Sequence, residues 1–495
     1  MSAPTLDLAI PETGSERLSR RAWGTLLVLC GALFLDALDV SMIGVALPSI
    51  RSDLGMSTSS LQWVVSAYVL GYGGFLLLGG RAADLFGRRR MFLISLAVFV
   101  VGSGLGGLAT GATMLIATRL IKGISAAFTA PAGLSIITTH VPEGSARNKA
   151  LSIYTATGAT GFSLGLVLGG LLTEAGWRWV FFVPTVVALV ALLAATKLVP
   201  ADASIPGIRR GFDFTGAVTM TAAMLLLVFT LVEAPQAGWA SARTLLSFAG
   251  AAAILAAFVV QERRTSAPLV RLGILRSGSL VRANLAAMSL FGSWVAFQFI
   301  LTLYLQQLRG WSSLETGFAI FPAGLIVATL SPRLAPLIGR FGLQRLILVG
   351  LTLLVPAYAL FLRVGLDSGY AAAMLPTFLL AGLGFGLAFG PLNVAATNGI
   401  APHEQGLAGG LLNTSFQFGG ALFLAVATAV NTANVGAGGT PQALLDGFHP
   451  ALFVPLFAAT LGVAVMAFRR RPQPAVAAEP AVAAEAELAY EAEAA

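Results

Sequence analysis

The sequence predicts an all-α polytopic membrane protein with about fourteen membrane-crossing helices. Three observations carry that prediction. Of 495 residues, 57% are hydrophobic and only 11% charged. A soluble chain is nearer a quarter charged, so this one has too little polar surface to stay in water. The apolar residues fall in windows of about 20, the length that spans hydrocarbon. Backbone groups in lipid must pair internally, and windows this long suit helices rather than barrel strands.

In chain order the windows cover 22–48, 60–80, 91–109, 112–134, 151–173, 178–198, 214–233, 243–260, 284–306, 315–337, 346–364, 371–396, 405–430 and 450–468. The first holds "LFLDALDVSMIGVALP", an apolar run with two acids, Asp36 and Asp39. It is too long for a signal-peptide core and reads as an uncleaved first span. The fourth carries Arg119 and Lys122. The fifth carries a stripe of small residues, Gly158, Gly161, Gly165, Gly169 and Gly170. The seventh and eighth are framed by basic loops. The loops after the second and tenth, "GGRAADLFGRRR" (79–90) and "LAPLIGRFGLQR" (334–345), are alike. That likeness suggests six spans, an insert of two, then six more. Two related halves around a central site are the usual build of secondary transporters. The expected organisation is a cytoplasmic segment 1–21, a six-helix bundle 22–198 and two inserted helices with their flanking loops in 199–283. A second six-helix bundle, 284–468, and an Ala/Glu/Pro tail, 469–495, complete it. The tail has no core of its own.

Basic residues set the orientation. With a cytoplasmic N-terminus, the cytoplasmic segments hold 23 Lys and Arg residues, from Arg17 to Arg471. The outer segments hold five: Arg51, Arg178, Arg243, Arg309 and Arg363. The positive-inside rule then places both termini in the cytoplasm of a cell membrane. The net charge of +8 belongs to the inner leaflet rather than to nucleic acid. Cys30 is the single cysteine, which excludes disulfides within the chain and cysteine metal clusters. His140, His403 and His449 are scattered over different loops and point to no metal site. There is no P-loop, H-E-x-x-H or G-x-S-x-G in context, so enzyme and cofactor readings lack support.

Candidate site residues follow from charge inside hydrocarbon. Asp36 and Asp39 stand i, i+3 and share a helix face, as do Arg119 and Lys122. Ionisable groups in a membrane helix are costly, face a cavity or a partner, and mark function by default. A structural ion-pair cluster that fixes packing is the plainer alternative. Desolvation and like charge disfavour an ionised carboxylate, and a nearby cation favours it. A conformational change that altered these contacts would therefore alternate the proton affinity of the pair, which titrates as a unit. In the 79–90 loop the arginines suit topology and headgroup anchoring. Asp84 works against a basic loop, and with Gly87 and Arg88 it reads as a helix cap or conformational latch. The glycine stripe suits close helix packing or a sliding interface. The ninth window carries Phe291, Trp294, Gln298, Tyr304 and Gln306, and a later one Asn413 and Gln417. Aromatics with amides suit a pocket for bulky amphipathic compounds; lipid-facing aromatics are the alternative. Trp177 and Trp179 read as interfacial anchors.

Taken together, these motifs resemble the 14-span drug:proton antiporter branch of the major facilitator superfamily, across nearly all of 22–468. "GRAADLFGRRR" (80–90) matches the family's G-x-L-a-D-x-x-G-r-r, with Ala82 for Leu. "LDVSMIGVALP" (38–48) matches the first-helix pattern L-D-x-T-x-V-N-V-A-L-P, with Ser41 for Thr and Gly44 for Asn. "RLIKG" (119–123) matches R-x-x-Q-G, with Lys122 for Gln. "GFSLGLVLGG" (161–170) matches the exporter pattern G-x-x-x-G-P-x-x-G-G, with Leu166 for Pro. "WRWVFF" (177–182), "YLQ" (304–306) and "GFGLAFGPLN" (384–393) are also familial. The resemblance implies a monomeric, cofactor-free secondary exporter of drugs, antibiotics or other amphipathic small molecules. It would exchange them for protons by alternating access. By matching position, Asp39 and Arg119 would couple to the proton; Asp36 and Lys122 lie outside the pattern. Alternatives are a metabolite exporter or importer on the same fold, or a membrane receptor that moves nothing. Proton-driven flux in proteoliposomes separates the transporter readings from the receptor, and its direction separates importer from exporter.

Overall fold

The computed structural model describes residues 20–141, 145–201, 213–265, 268, 272–398, 400, 405–435 and 440–468. The expectations for the N-terminal segment before residue 20, for Arg209, Arg210, Arg271 and His403, and for the tail from 469 lie outside the described residues. So do the side chains of Asp84, Arg147 and Lys149.

The described chain is helical. The first six helices are α1 (Arg20–Leu54), α2 (Thr58–Phe86), α3 (Arg88–Gly107), α4 (Ala112–His140), α5 (Ser145–Ala175) and α6 (Trp179–Leu198). Two more follow, α7 (Phe214–Ala237) and α8 (Ala242–Arg264). The remainder are α9 (Gly278–Leu303), α10 (Ser313–Leu330), the short α11 (Leu334–Phe341), α12 (Leu343–Phe361), α13 (Leu375–Thr397), α14 (Gln405–Asn434) and α15 (Pro441–Ala467). Each apolar window holds one long helix. Among the described residues 11 helices are long and apolar enough to cross a membrane, and shorter apolar stretches occupy Thr160–Ala175 and Thr215–Leu231. Several helices start on a side-chain oxygen that accepts from the first turn, at Ser57, Asp213, Ser241, Ser277, Ser312 and Thr440. Ser312 and Glu315 form a full capping box.

Packing repeats in the two halves. In the first, α1 lies on α5, α2 on α4, and α3 on α4 and α6. In the second, α9 lies on α14, α10 on α13, and α12 on α13 and α15. These are two six-helix bundles built on one pairing scheme. The alike loops also turn alike. Gly87, between α2 and α3, has φ 98 and ψ 132; Gly342, between α11 and α12, has φ 82 and ψ 147. A side chain is strained at either position, which accounts for the shared Phe-Gly step. Between the bundles, α7 pairs with α8 and leans on α2 and α14. Most of α8 is exposed, as suits a helix against lipid.

Candidate functional site

The charges in the first bundle converge. Asp39 of α1 and Arg119 of α4 are each 1% exposed, and Lys122 is fully buried. Arg119 Nη1 and Lys122 Nζ both donate to Asp39, one to each carboxylate oxygen. The i, i+3 spacing of the two bases places both over one acid. Arg119 Nε donates to the Val64 carbonyl at 3.0 Å, and Lys122 Nζ to Ser103 Oγ at 3.0 Å. The Arg119 guanidinium lies 4.6 Å from the Tyr68 ring centre. Lys122 Nζ lies 4.7 Å from that of Phe99 and 5.0 Å from that of Phe181. Two acids and two bases therefore do not pair off one to one. Asp36, one turn away and 6% exposed, has a buried Oδ2 with no hydrogen-bond partner among the described residues.

The glycine stripe places α1. A Cβ on Gly161 would meet the Phe34 carbonyl at 2.6 Å, one on Gly165 the Leu38 carbonyl at 2.7 Å, and one on Gly169 the Met42 Cα at 2.8 Å. Gly158 rests on Leu33 less tightly, at 3.3 Å. Gly170 faces the other bundle instead, with Leu314 Cα 2.7 Å from its Cβ position. The helix runs unbroken through Leu166, where the resembling family has a proline. The Leu166 carbonyl lies 2.5 Å from where a Cβ on Gly317 of α10 would stand. One face of α5 thus packs α1, and the adjacent face, at Leu166 and Gly170, closes against α10.

The pocket candidates divide. Trp294 sits between rings from both bundles, with centres 6.1 Å from Phe162 of α5 and 5.4 Å from Phe385 of α13. The rings continue through Phe389 at 5.2 Å and Phe416 at 5.0 Å to Phe291 at 5.9 Å. Composition and spacing do not single out Phe162, Phe385, Phe389 or Phe416. Phe385 and Phe389, four apart within a Gly-rich span, were the one available signal. Gln298 reaches Gly44 of α1, its Nε2 lying 2.9 Å from that residue's Cβ position. Gln417 packs on Gly73 of α2, 3.1 Å from the Cβ position. Asn413 donates to the Gly409 carbonyl of its own helix at 2.9 Å. Tyr304 is not brought to the group. Its ring packs on Phe361 and Phe448, and its hydroxyl donates to the Gly365 carbonyl at 2.7 Å. Gln306, in the π-helical turn that follows α9, donates to the Val45 carbonyl of α1 at 2.8 Å.

The residues expected to form a latch lie at the turn from α2 to α3. Asp84 is in its last turn. Gly87 makes the turn, and Arg88 Nη1 donates to Thr139 Oγ1 of α4. Arg89 Nη2 donates to the Thr196 carbonyl of α6 at 2.6 Å. Trp177, at the opposite end of the bundle, donates to Asp53 at 2.9 Å, and Arg178 pairs with the same carboxylate at 2.7 Å.

Comparison with known proteins adds to this geometry. A family model described as Major Facilitator Superfamily matches residues 29–424. The cephamycin export protein CmcT of Amycolatopsis lactamdurans is 37% identical over 459 residues, covering 92% of this chain and 94% of that protein. The puromycin resistance protein pur8 of Streptomyces alboniger is 38% identical over 441 residues, 86% of each chain. Among solved structures, a D-xylose-proton symporter aligns with a TM-score of 0.63 at 17% identity, over 90% of this chain and 97% of that one. A bacterial homologue of the human lysosomal transporter Spinster aligns with a TM-score of 0.65 at 16% identity, over 91% of this chain and 97% of that one. At such identities the structures speak for the fold alone.

Proposed function

The chain belongs to the Major Facilitator Superfamily, and from that premise we propose that it exports antibiotics or similar amphipathic small molecules in exchange for protons. One observation supports the coupling above the others. A carboxylate and two cations are fully buried in the middle of membrane helices, where such groups are expensive and serve ion movement. Relatives named for cephamycin export and puromycin resistance support the direction and the kind of cargo. Asp36, Asp39, Arg119 and Lys122 form the coupling group. The ring system around Trp294, with Phe291, Gln298 and Gln417, forms the cargo surface between the bundles. The glycines of α5 make the sliding contacts, Gly161, Gly165 and Gly169 toward α1 and Gly170 toward α10. Both termini lie in the cytoplasm of the cell membrane, the bundles span 22–198 and 284–468, and the inserted pair shields the seam of α2 and α14. The expected unit is the monomer.

The test is uptake of labelled puromycin or cephamycin into inverted membrane vesicles energised by an inside-acid pH gradient. Accumulation that collapses when a protonophore removes the gradient is the expected result. Uptake indifferent to the gradient would remove the coupling, and no uptake of either compound would remove this cargo class.

The α2–α3 turn carries a second expectation. Asp84→Asn should leave the protein inserted at its normal level and lower the transport rate, by shifting the balance of inward- and outward-open forms. Unchanged transport would leave that acid no role as a latch.

A further inference from the structure

The two acids of α1 have opposite surroundings, although one turn separates them. Asp39 accepts from both Arg119 and Lys122. Asp36 accepts from neither, and among the described residues no ion pair reaches it. Tyr68 and Tyr72 of α2 and Tyr154 of α5 are within electrostatic reach of its carboxyl, as are Asp39 on its own helix and Lys122 of α4. Arg119 stands behind Tyr68, over the face of its ring. Cys30 of α1 is within electrostatic reach of Tyr154. Tyr68 is 1% exposed, and among the described residues its hydroxyl, like Asp36 Oδ2, has no hydrogen-bond partner.

We propose that Asp36 is the carboxyl that takes up and releases the coupling proton, while Asp39 is the fixed counter-ion of Arg119 and Lys122. The proposal rests on the proton-coupled reading above. A buried carboxylate needs hydrogen bonds or a cation, and Asp36 has no committed partner for its Oδ2. A neutral carboxyl does not need them. The group of Asp39, Arg119 and Lys122 carries a formal charge of +1, and it lies close enough to oppose a proton on Asp36. Burial holds the proton and the neighbouring charge loosens it. A small helix movement then decides whether it stays. On release the O–H bond of Asp36 breaks, its electron pair remains on the carboxylate, the proton passes to water, and the four-residue group becomes neutral. Lys122, a point charge on a flexible stem, is the cation able to follow Asp36.

Two measurements on the full-length chain test this. The first reads the proton with no cargo present. Infrared spectra of the purified protein at neutral pH should show a protonated-carboxyl band that is absent in Asp36→Asn and returns, shifted, in Asp36→Glu. An identical band in Asp36→Asn overturns the proposal. The second uses labelled puromycin in inverted vesicles. A gradient of one pH unit supports about a tenfold accumulation per proton exchanged. Asp36→Asn should lose that accumulation yet keep exchanging labelled for unlabelled puromycin, and Tyr68→Phe should retain both with an altered pH profile. Wild-type accumulation in Asp36→Asn overturns the proposal. Failure of the wild-type protein to accumulate puromycin would count against the transport reading alone, because the infrared band locates the proton without transport.

Discussion

Asp39→Asn is expected to abolish pH-gradient-driven uptake into inverted vesicles. The substitution keeps the shape of the side chain and removes its charge. Arg119 and Lys122 then lose the one acid that both of them contact. Breaking a buried ion pair from one side costs about 3–5 kcal/mol, because an uncompensated charge stays behind. Here two cations stay behind, 1% and 0% exposed. Their remaining partners, the Val64 carbonyl and Ser103 Oγ, are neutral. The nearest carboxyl is Asp36. The freed cations would draw it into the ionised form, where it can no longer carry a proton. Uptake normalised to protein in the membrane should fall to the background of vesicles lacking the transporter. Protein level should fall too, so a second variant separates folding from coupling. Asp39→Asn combined with Lys122→Gln removes one orphaned cation and should recover protein level without recovering uptake. Wild-type uptake in Asp39→Asn would show that this acid is not needed for coupling.

That cluster also shows how far the sequence could be read. Long apolar windows announced every long helix, because a helix in lipid must be apolar along its whole length. The charges announced themselves for the same reason. An acid in hydrocarbon is conspicuous whatever its partner. The partner is another matter. Spacing of i, i+3 says that Asp36 and Asp39 share a face of α1, and that Arg119 and Lys122 share a face of α4. It does not say which residue meets which across the gap. That depends on the glycine face of α5 and on the α2–α4 approach, where a Cβ on Gly71 would stand 2.5 Å from the Leu120 carbonyl. The ring system was less legible still. Phe162, Trp294, Phe385 and Phe416 come from four helices far apart in the chain, and an aromatic facing a neighbour reads like one facing lipid. Tyr304 illustrates the converse. Its motif drew attention, yet its hydroxyl serves the loop after α12.

Gly317→Val is expected to shift the protein toward its outward-open form and to lower transport with it. By the charge-based orientation, the contacts between α5 and α10 lie in the outer half of the membrane. They are close contacts of backbone on backbone. A Cβ on Gly317 would stand 2.5 Å from the Leu166 carbonyl, and one on Gly170 would stand 2.7 Å from the Ser313 carbonyl. Neither carbonyl can swing aside as a long side chain could. Glu174 accepts from the Leu314 amide at 3.4 Å beside them, and Gln306 ties α9 to α1 at the same end. Valine at 317 must therefore push α10 from α5. Overpacking of this kind costs about 1–3 kcal/mol. In an alternating-access cycle the seam exists only while the outer side is closed, so the cost falls on that state alone. A difference of that size moves the population by roughly 5- to 150-fold. Ser313, 6% exposed beside the contact, is the reporter. In a background with Cys30→Ser, a cysteine placed at 313 should react slowly with an impermeant thiol reagent added outside, and many times faster once Gly317→Val is present. Gly317→Ala should give a smaller increase, because its methyl group meets the same carbonyl with less bulk behind it. Equal labelling with and without valine, at equal protein level, would mean that this seam stays shut through the cycle and that the bundles part elsewhere.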